Sequence, residues 1–195
     1  MKIIEKFLDY NPYSRPKKLK PSIKTITIHW TGKEGQSANN IWNWFNYHIQ
    51  KYGKFSSSND CIDTKGTIYK FIPENEISWH SISGKTDLQY IRKYRNEPNY
   101  VSHSIECIPI NEKTGEFSEE TKNALIYRCA MLCIRYDLNP LKDIYRHYDH
   151  VGKVCPKYYV HNETEWQELK KSIFLAYYGM LYLGLTFDKG DENES

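Results

Sequence analysis

Three groups of polar residues stand where a soluble core does not place them by default. His29 comes at the end of an otherwise apolar run, Ile23–Trp30 (IKTITIHW). A second histidine, His147, follows the short run Asp143–Arg146 and opens the stretch His147-Tyr148-Asp149-His150-Val151-Gly152-Lys153-Val154-Cys155-Pro156. A lone histidine at the end of a strand is more often structural than a ligand. Two of them, joined by a cysteine held in a short loop by Pro156, suit a tetrahedral His-His-Cys zinc site. Three protein ligands leave the fourth position to water, the arrangement of a catalytic rather than a structural zinc. The third group is Glu106, centred in Ser102–Ile110 (SHSIECIPI) between Ile105 and Cys107. If buried, this carboxylate needs a partner, a metal-bound water or a raised pKa. If the strand is half exposed, Glu106 simply faces solvent.

These residues need elements to hold them. Ile23–Trp30 is dense in β-branched residues and stops at Thr31-Gly32, so it reads as a strand with His29 at its C-terminal end. Ser37 can cap a helix with Ile41, Phe45, His48, Ile49 and Tyr52 on one stripe, closed by Gly53, which makes His48 a packed residue. Asn59–Asp63 and Thr67–Ile72 flank Thr64-Lys65-Gly66 as a β-hairpin with Gly66 at positive φ. Residues 81–100 carry no pattern and read as a long loop forming a binding rim. Ser102–Ile110 is a further strand. Ser118, followed by Glu119 and Glu120, opens a helix with Leu125, Cys129, Leu132, Cys133 and Tyr136 on its stripe, and Glu163 to about Tyr178 is another helix. Strands and helices alternate, so the fold class is α/β: a single domain with a central mixed β-sheet flanked by α-helices. Residues 1–22, rich in Pro and Lys, form an extended arm packed on a catalytic domain at 23–179, and 180–195 is a C-terminal segment or linker stub.

Composition narrows the function. The 195 residues carry a formal net charge of +3, too little to argue for nucleic-acid binding, and an acidic tail leaves the rest mildly basic. No run of about 18 apolar residues occurs, so no membrane span is expected. The charged start lacks the apolar stretch of a signal peptide, which predicts synthesis in the host cytoplasm without one. Five cysteines, an odd number without regular spacing, argue against a disulfide framework.

The segments ITIHWTG, GTIYKFIPENEISWHS, VSHSIECIPI and RHYDHVGKVCP occur in the order and spacing of the zinc-dependent N-acetylmuramoyl-L-alanine amidases, and roughly residues 10–178 resemble that type-2 amidase family. The family includes phage endolysins, bacteriophage lysozyme-like amidases and peptidoglycan recognition proteins. Its most specific element here is His147, five residues, Lys153, one residue, Cys155, Pro156. The resemblance implies a type-2 amidase fold in which His29, His147 and Cys155 bind one zinc ion per chain, Lys153 stabilises the oxyanion and Glu106 is the general base. The spacing to Lys153 and Cys155 selects His147 over His150 as ligand. Trp30, Trp79 and His80 are candidate substrate contacts, the last two as the family's W-H pair. Ser58 stands where phage lysozyme-like members carry a catalytic tyrosine, and Asn59 where other members place a histidine. The tyrosine's role is therefore absent or supplied elsewhere.

The implied activity is hydrolysis of the amide between N-acetylmuramic acid and L-alanine in bacterial peptidoglycan, by an endolysin or autolysin acting on the wall after release. The competing class is a non-catalytic peptidoglycan-binding module of the same fold. Such relatives typically lack the cysteine, so Cys155 with Lys153 favours the enzyme. No nucleic-acid or membrane partner is expected, and the monomer is the favoured state.

Overall fold

The computed structural model describes residues 1–82 and 84–186. The acidic tail, and with it most of the expected linker stub, lies outside the described residues. The six strands are β1 (Ile3–Glu5), β2 (Thr25–Trp30), β3 (Asp60–Ile62), β4 (Ile68–Lys70), β5 (Ser102–Cys107) and β6 (Ile144–Arg146), in the sheet order β1-β4-β3-β5-β2-β6. The β3–β4 hairpin is antiparallel and every other pairing is parallel, which makes the sheet mixed. The helices are α1 (Ala38–Asn43), continued through a π-helical turn at Trp44–His48 into α2 (Ile49–Lys51), then α3 (Leu88–Tyr94), α4 (Pro98–Val101), α5 (Glu119–Tyr136), α6 (His147–Val151), α7 (Lys157–His161) and α8 (Glu163–Tyr182).

Strand alternation divides the sheet into two unlike faces. Ile26 and Ile28 of β2 and Ile105 and Cys107 of β5 point to one side, where they join Leu125, Cys129 and Leu132 of α5 and Trp166, Leu169 and Ile173 of α8 in the main core. Thr25, Thr27 and His29, with Ser102, Ser104 and Glu106, point to the other side. There a smaller cluster of Leu8, Ile41, Phe45, Cys61 and Phe71 covers only part of the sheet. The face that carries the candidate chemistry is thus the less apolar one.

Local chemistry sets the element ends. The Ser118 hydroxyl accepts from the Thr121 N–H at the start of α5, with Glu119 and Glu120 in its first turn. Gly66 turns the β3–β4 hairpin at φ +74°, and a Cβ there would stand 2.6 Å from the Glu120 carbonyl oxygen, so both the backbone angle and the close approach require glycine.

Four segments differ from the sequence expectation. The arm at 1–22 contributes the edge strand β1, too short to show a period. The Ser37-capped helix exists, but its π turn shifts the phase of everything after it. Asn46 is thereby turned inward to donate to Asp9 at 2.7 Å, while His48 and Tyr52 are exposed and stack beside Trp44. His48 is therefore not a packed core residue. Residues 81–100 are not a plain loop, because Asp87 caps α3 and Pro98 opens α4. The buried pair Tyr90 and Tyr94, one helical turn apart, forms a small core with Val101; tyrosines supplied the stripe that aliphatic residues usually mark. The last helix runs past Tyr178 to Tyr182.

Candidate functional site

Register places two of the site residues side by side. In the parallel pair β2–β5, His29 lies opposite Glu106, so both side chains leave the same face at the C-terminal ends of central strands. Cys61 flanks Glu106 from β3. Glu106 is largely buried and its Oε2 has no hydrogen-bond partner. Burial pushes this carboxyl up to about 7, against the pull of the Lys153 cation.

The β6–α6 junction and the loop after α6 bring the other two donors. Arg146, the last residue of β6, bonds Asp149 in the first turn of α6, the Tyr159 carbonyl of α7 at 2.9 Å and Glu163 of α8 at 2.7 Å. These bonds tie the start of α6 to the elements that follow the loop. Gly152 ends α6 in the left-handed region, and the Tyr148 N–H donates to the Cys155 carbonyl at 2.9 Å, closing the loop on itself.

His29, His147 and Cys155 are all buried, and one ligand atom from each lies within 4.8 Å of the others. The His29 Nδ1 is 3.7 Å from the Cys155 Sγ, and the His29 and His147 rings are 4.6 Å apart between centroids. Both ring nitrogens of His147 are buried without a partner. Burial, with the Lys153 charge, holds His147 down to about 4, and burial with the neighbouring His147 holds His29 well below its ordinary value. Both imidazoles are thus neutral, the form that binds metals. Burial and the Glu106 charge push the Cys155 thiol up to about 12, so a cation is needed to make its thiolate the stable form. Unsatisfied buried nitrogens beside a thiol that needs a compensating cation fit a metal ion in their midst.

Two clefts meet beside this triad. The larger, about 590 Å³, is lined by Phe55, Trp79, His80, Tyr100, His147 and Lys153 among others. The smaller, about 420 Å³, is lined by Trp30, Thr31, Gln36, Trp44, Glu106 and Lys153 among others. Lys153 and Ser56 border both. Trp79 and His80 therefore lie in the larger cleft, and the His80 Nδ1 is 3.1 Å from the His29 Nε2. Trp30 borders the smaller cleft, but its ring packs on the main core under the Lys157 ammonium. Ser58 is fully buried with an unpartnered hydroxyl and lines neither cleft. Asn59 is structural: its Oδ1 accepts from the Lys20 Nζ and Ser78 Oγ, both at 2.9 Å.

Sequence reasoning missed Phe55, Tyr100 and Asn99. Phe55 and Tyr100 extend a run of rings from Tyr13 through Phe55 and Trp79 to Tyr100, with centroid spacings of 5.3, 5.6 and 6.4 Å. The four rings come from four segments far apart in the chain, so spacing carried no signal. The Pro98-Asn99 pair and the tyrosines before Tyr100 were the one available hint.

A family model described as N-acetylmuramoyl-L-alanine amidase matches residues 19–158. The chain is 32% identical over 175 residues to the N-acetylmuramoyl-L-alanine amidase CwlL of Bacillus licheniformis, covering 89% of this chain and 47% of that protein. It is 27% identical to the N-acetylmuramoyl-L-alanine amidase BlyA of Bacillus subtilis, with 86% and 45% covered. The chain therefore spans about half the length of the curated relatives it matches. Among solved structures, PlyL superposes with a TM-score of 0.66 at 21% identity, covering 89% of this chain and 97% of that one, which shows a shared fold. The family match runs from before β2 to beyond the Cys155 loop and so includes every donor of the triad together with Glu106 and Lys153; the chain belongs to the N-acetylmuramoyl-L-alanine amidase family.

Proposed function

We propose that this chain is a zinc-dependent hydrolase of the amide joining the lactyl group of N-acetylmuramic acid to L-alanine in bacterial peptidoglycan. The observation that carries the reading is the convergence of His29, His147 and Cys155 beside Glu106 at the meeting point of two clefts. His29, His147 and Cys155 would hold the ion, and a zinc bound there would supply Lewis acidity toward a carbonyl and a water.

The protein's own groups supply the rest. Glu106, poised near neutrality, takes a proton from the attacking water and returns it to the leaving nitrogen of L-alanine. Lys153, reaching into both clefts, places a positive charge beside the oxyanion that forms on the former carbonyl. The aromatic run along the larger cleft offers flat apolar faces to a saccharide. The wall is the expected partner and site of action. Among the described residues no helix is long and apolar enough to cross a membrane.

Digestion of purified peptidoglycan followed by mass spectrometry tests the reading. Peptides with a new L-alanine amino terminus and glycan freed of peptide are expected, with both lost on chelation and restored by zinc. Binding to the wall without any new amine would instead establish the non-catalytic module.

A further inference from the structure

The two nitrogens of His29 face opposite ways. Nδ1 points toward the Cys155 sulfur at 3.7 Å, and Nε2 lies 3.1 Å from Nδ1 of His80, with the two rings edge-on at 86°. A neutral imidazole carries one proton. If that proton sits on Nδ1, His29 presents an N–H to the sulfur and has no lone pair for a metal. If it sits on Nε2, it is donated to His80 and Nδ1 is free to ligate. The choice falls to His80, which must accept.

His80 is built to do so. His80 is 7% exposed, and its Nε2 is buried with no hydrogen-bond partner. With His29 ligating through Nδ1, its single proton must sit on Nε2, so the His80 Nδ1 at 3.1 Å is placed as the acceptor and the His80 proton is left to Nε2. The main chain is fixed as well. The buried Asn99 side chain accepts from the His80 N–H at 3.0 Å and the Ser81 N–H at 2.8 Å, and donates to the Ser81 carbonyl at 2.9 Å. Asn99 belongs to α4, the short helix leading straight into β5, so the clamp refers His80 to the same sheet that carries His29 and Glu106.

We propose that His80, held by Asn99, is a positioning residue for the metal site: it accepts the Nε2 proton of His29, fixing the tautomer and ring orientation that turn Nδ1 toward the metal. This rests on the zinc reading above. Partners that orient a metal-bound histidine typically contribute on the order of 10- to 100-fold in metal affinity.

The test measures zinc affinity of the full chain by competition with a chromophoric chelator for the parent, His80→Ala and His80→Asn, alongside circular dichroism of each protein. The Asn Oδ1 falls near the position of the His Nδ1 and can accept the same proton. Stoichiometric zinc in the parent, affinity weakened roughly 10- to 100-fold in His80→Ala and largely recovered in His80→Asn is the expected pattern. Unchanged affinity in His80→Ala, even with a raised KM, would make His80 a substrate contact only and overturn the proposal. Equal loss in both variants would also overturn it. A parent that binds no zinc removes the zinc reading itself, a separable failure. Should the alanine variant not fold, nitrogen NMR of the parent's imidazoles decides: a proton on His29 Nε2 in the zinc-loaded protein is required, and one on Nδ1 refutes the assignment.

Discussion

In the proposed reaction Glu106 and Lys153 take different parts, and their variants should fail differently. Lys153 is exposed on the loop after α6, where removal creates no buried defect. Lys153→Ala should fold normally and keep its zinc, yet turn over on the order of 100- to 1000-fold more slowly, the usual cost of losing one oxyanion donor. Amine release from cell walls, with metal content measured in parallel, checks this. Glu106→Gln should lose activity comparably but also change stability. The carboxyl of the metal-free fold ionises at about 7, above the ordinary carboxylate value, so ionising it costs stability as pH rises from about 4.5 through 7. Metal-free Glu106→Gln should therefore outlast the parent in urea at pH 8 by on the order of 2–3 kcal/mol and match it at pH 4.5. A constant difference at both pH values would contradict the burial argument. At this scale the sequence was informative about His29, His147, Cys155 and Glu106, because strand ends and a Cys-Pro loop leave local marks. The His29–His80 contact spans 51 residues and left none.

Elements were legible in proportion to their length and regularity. The aliphatic stripe of α5 and the β-branched run of β2 announce themselves, whereas β1, α4 and α6 are too short to show a period and form because neighbouring strands and caps hold them. The π turn is legible only in outcome, as a buried Asn46 and an exposed His48. One long-range device joins elements that no local pattern links. Arg128 of α5, 1% exposed, bonds Asp60 of β3 at 2.6 Å and Glu74, beyond β4, at 2.8 Å; His103 of β5 also reaches Asp60, and Arg135 and Tyr136 complete the shell of Glu74. Burial pushes the Glu74 carboxyl up, but Arg128 and its other partners pull it well below the ordinary range. A carboxylate depressed in the fold adds stability that is fully present above its unfolded value and disappears as pH falls toward its folded one. Glu74→Gln, which leaves Arg128 and Arg135 short of a charge, should cost about 3 kcal/mol at pH 7. The deficit should shrink as pH drops below about 4.5, where the parent's unfolded chain gains the proton. Urea midpoints at pH 7 and 3 measure it, and a deficit that grows in acid would mean that Glu74 is not held ionised.

For the molecule as a whole, the unequal faces of the sheet separate stability from chemistry. The α5–α8 face carries the main core and the Arg128 network, while the other face buries His29 and the Thr and Ser residues of β2 and β5, with Glu106 beside them, among fewer apolar side chains. A fold arranged this way should stand without a metal but holds a locally unfavourable site: two neutral, buried imidazoles, an unpartnered carboxylate oxygen and a protonated thiol. Binding a cation to that site resolves all four conditions, and any ligand that binds only the folded state stabilises it in proportion to the logarithm of its concentration over its dissociation constant. At a free zinc concentration about 1000 times that constant the gain is about 4 kcal/mol. For a chain of this size each kcal/mol moves the melting temperature by roughly 2–4 °C. Chelation should therefore lower Tm by roughly 8–16 °C while leaving a cooperative transition, and added zinc should restore it. His29→Ala and Cys155→Ala should melt at the same temperature with and without zinc. A zinc-dependent rise of full size in either variant would move the metal elsewhere, and loss of the cooperative transition on chelation would show that the main core does not suffice to hold the fold.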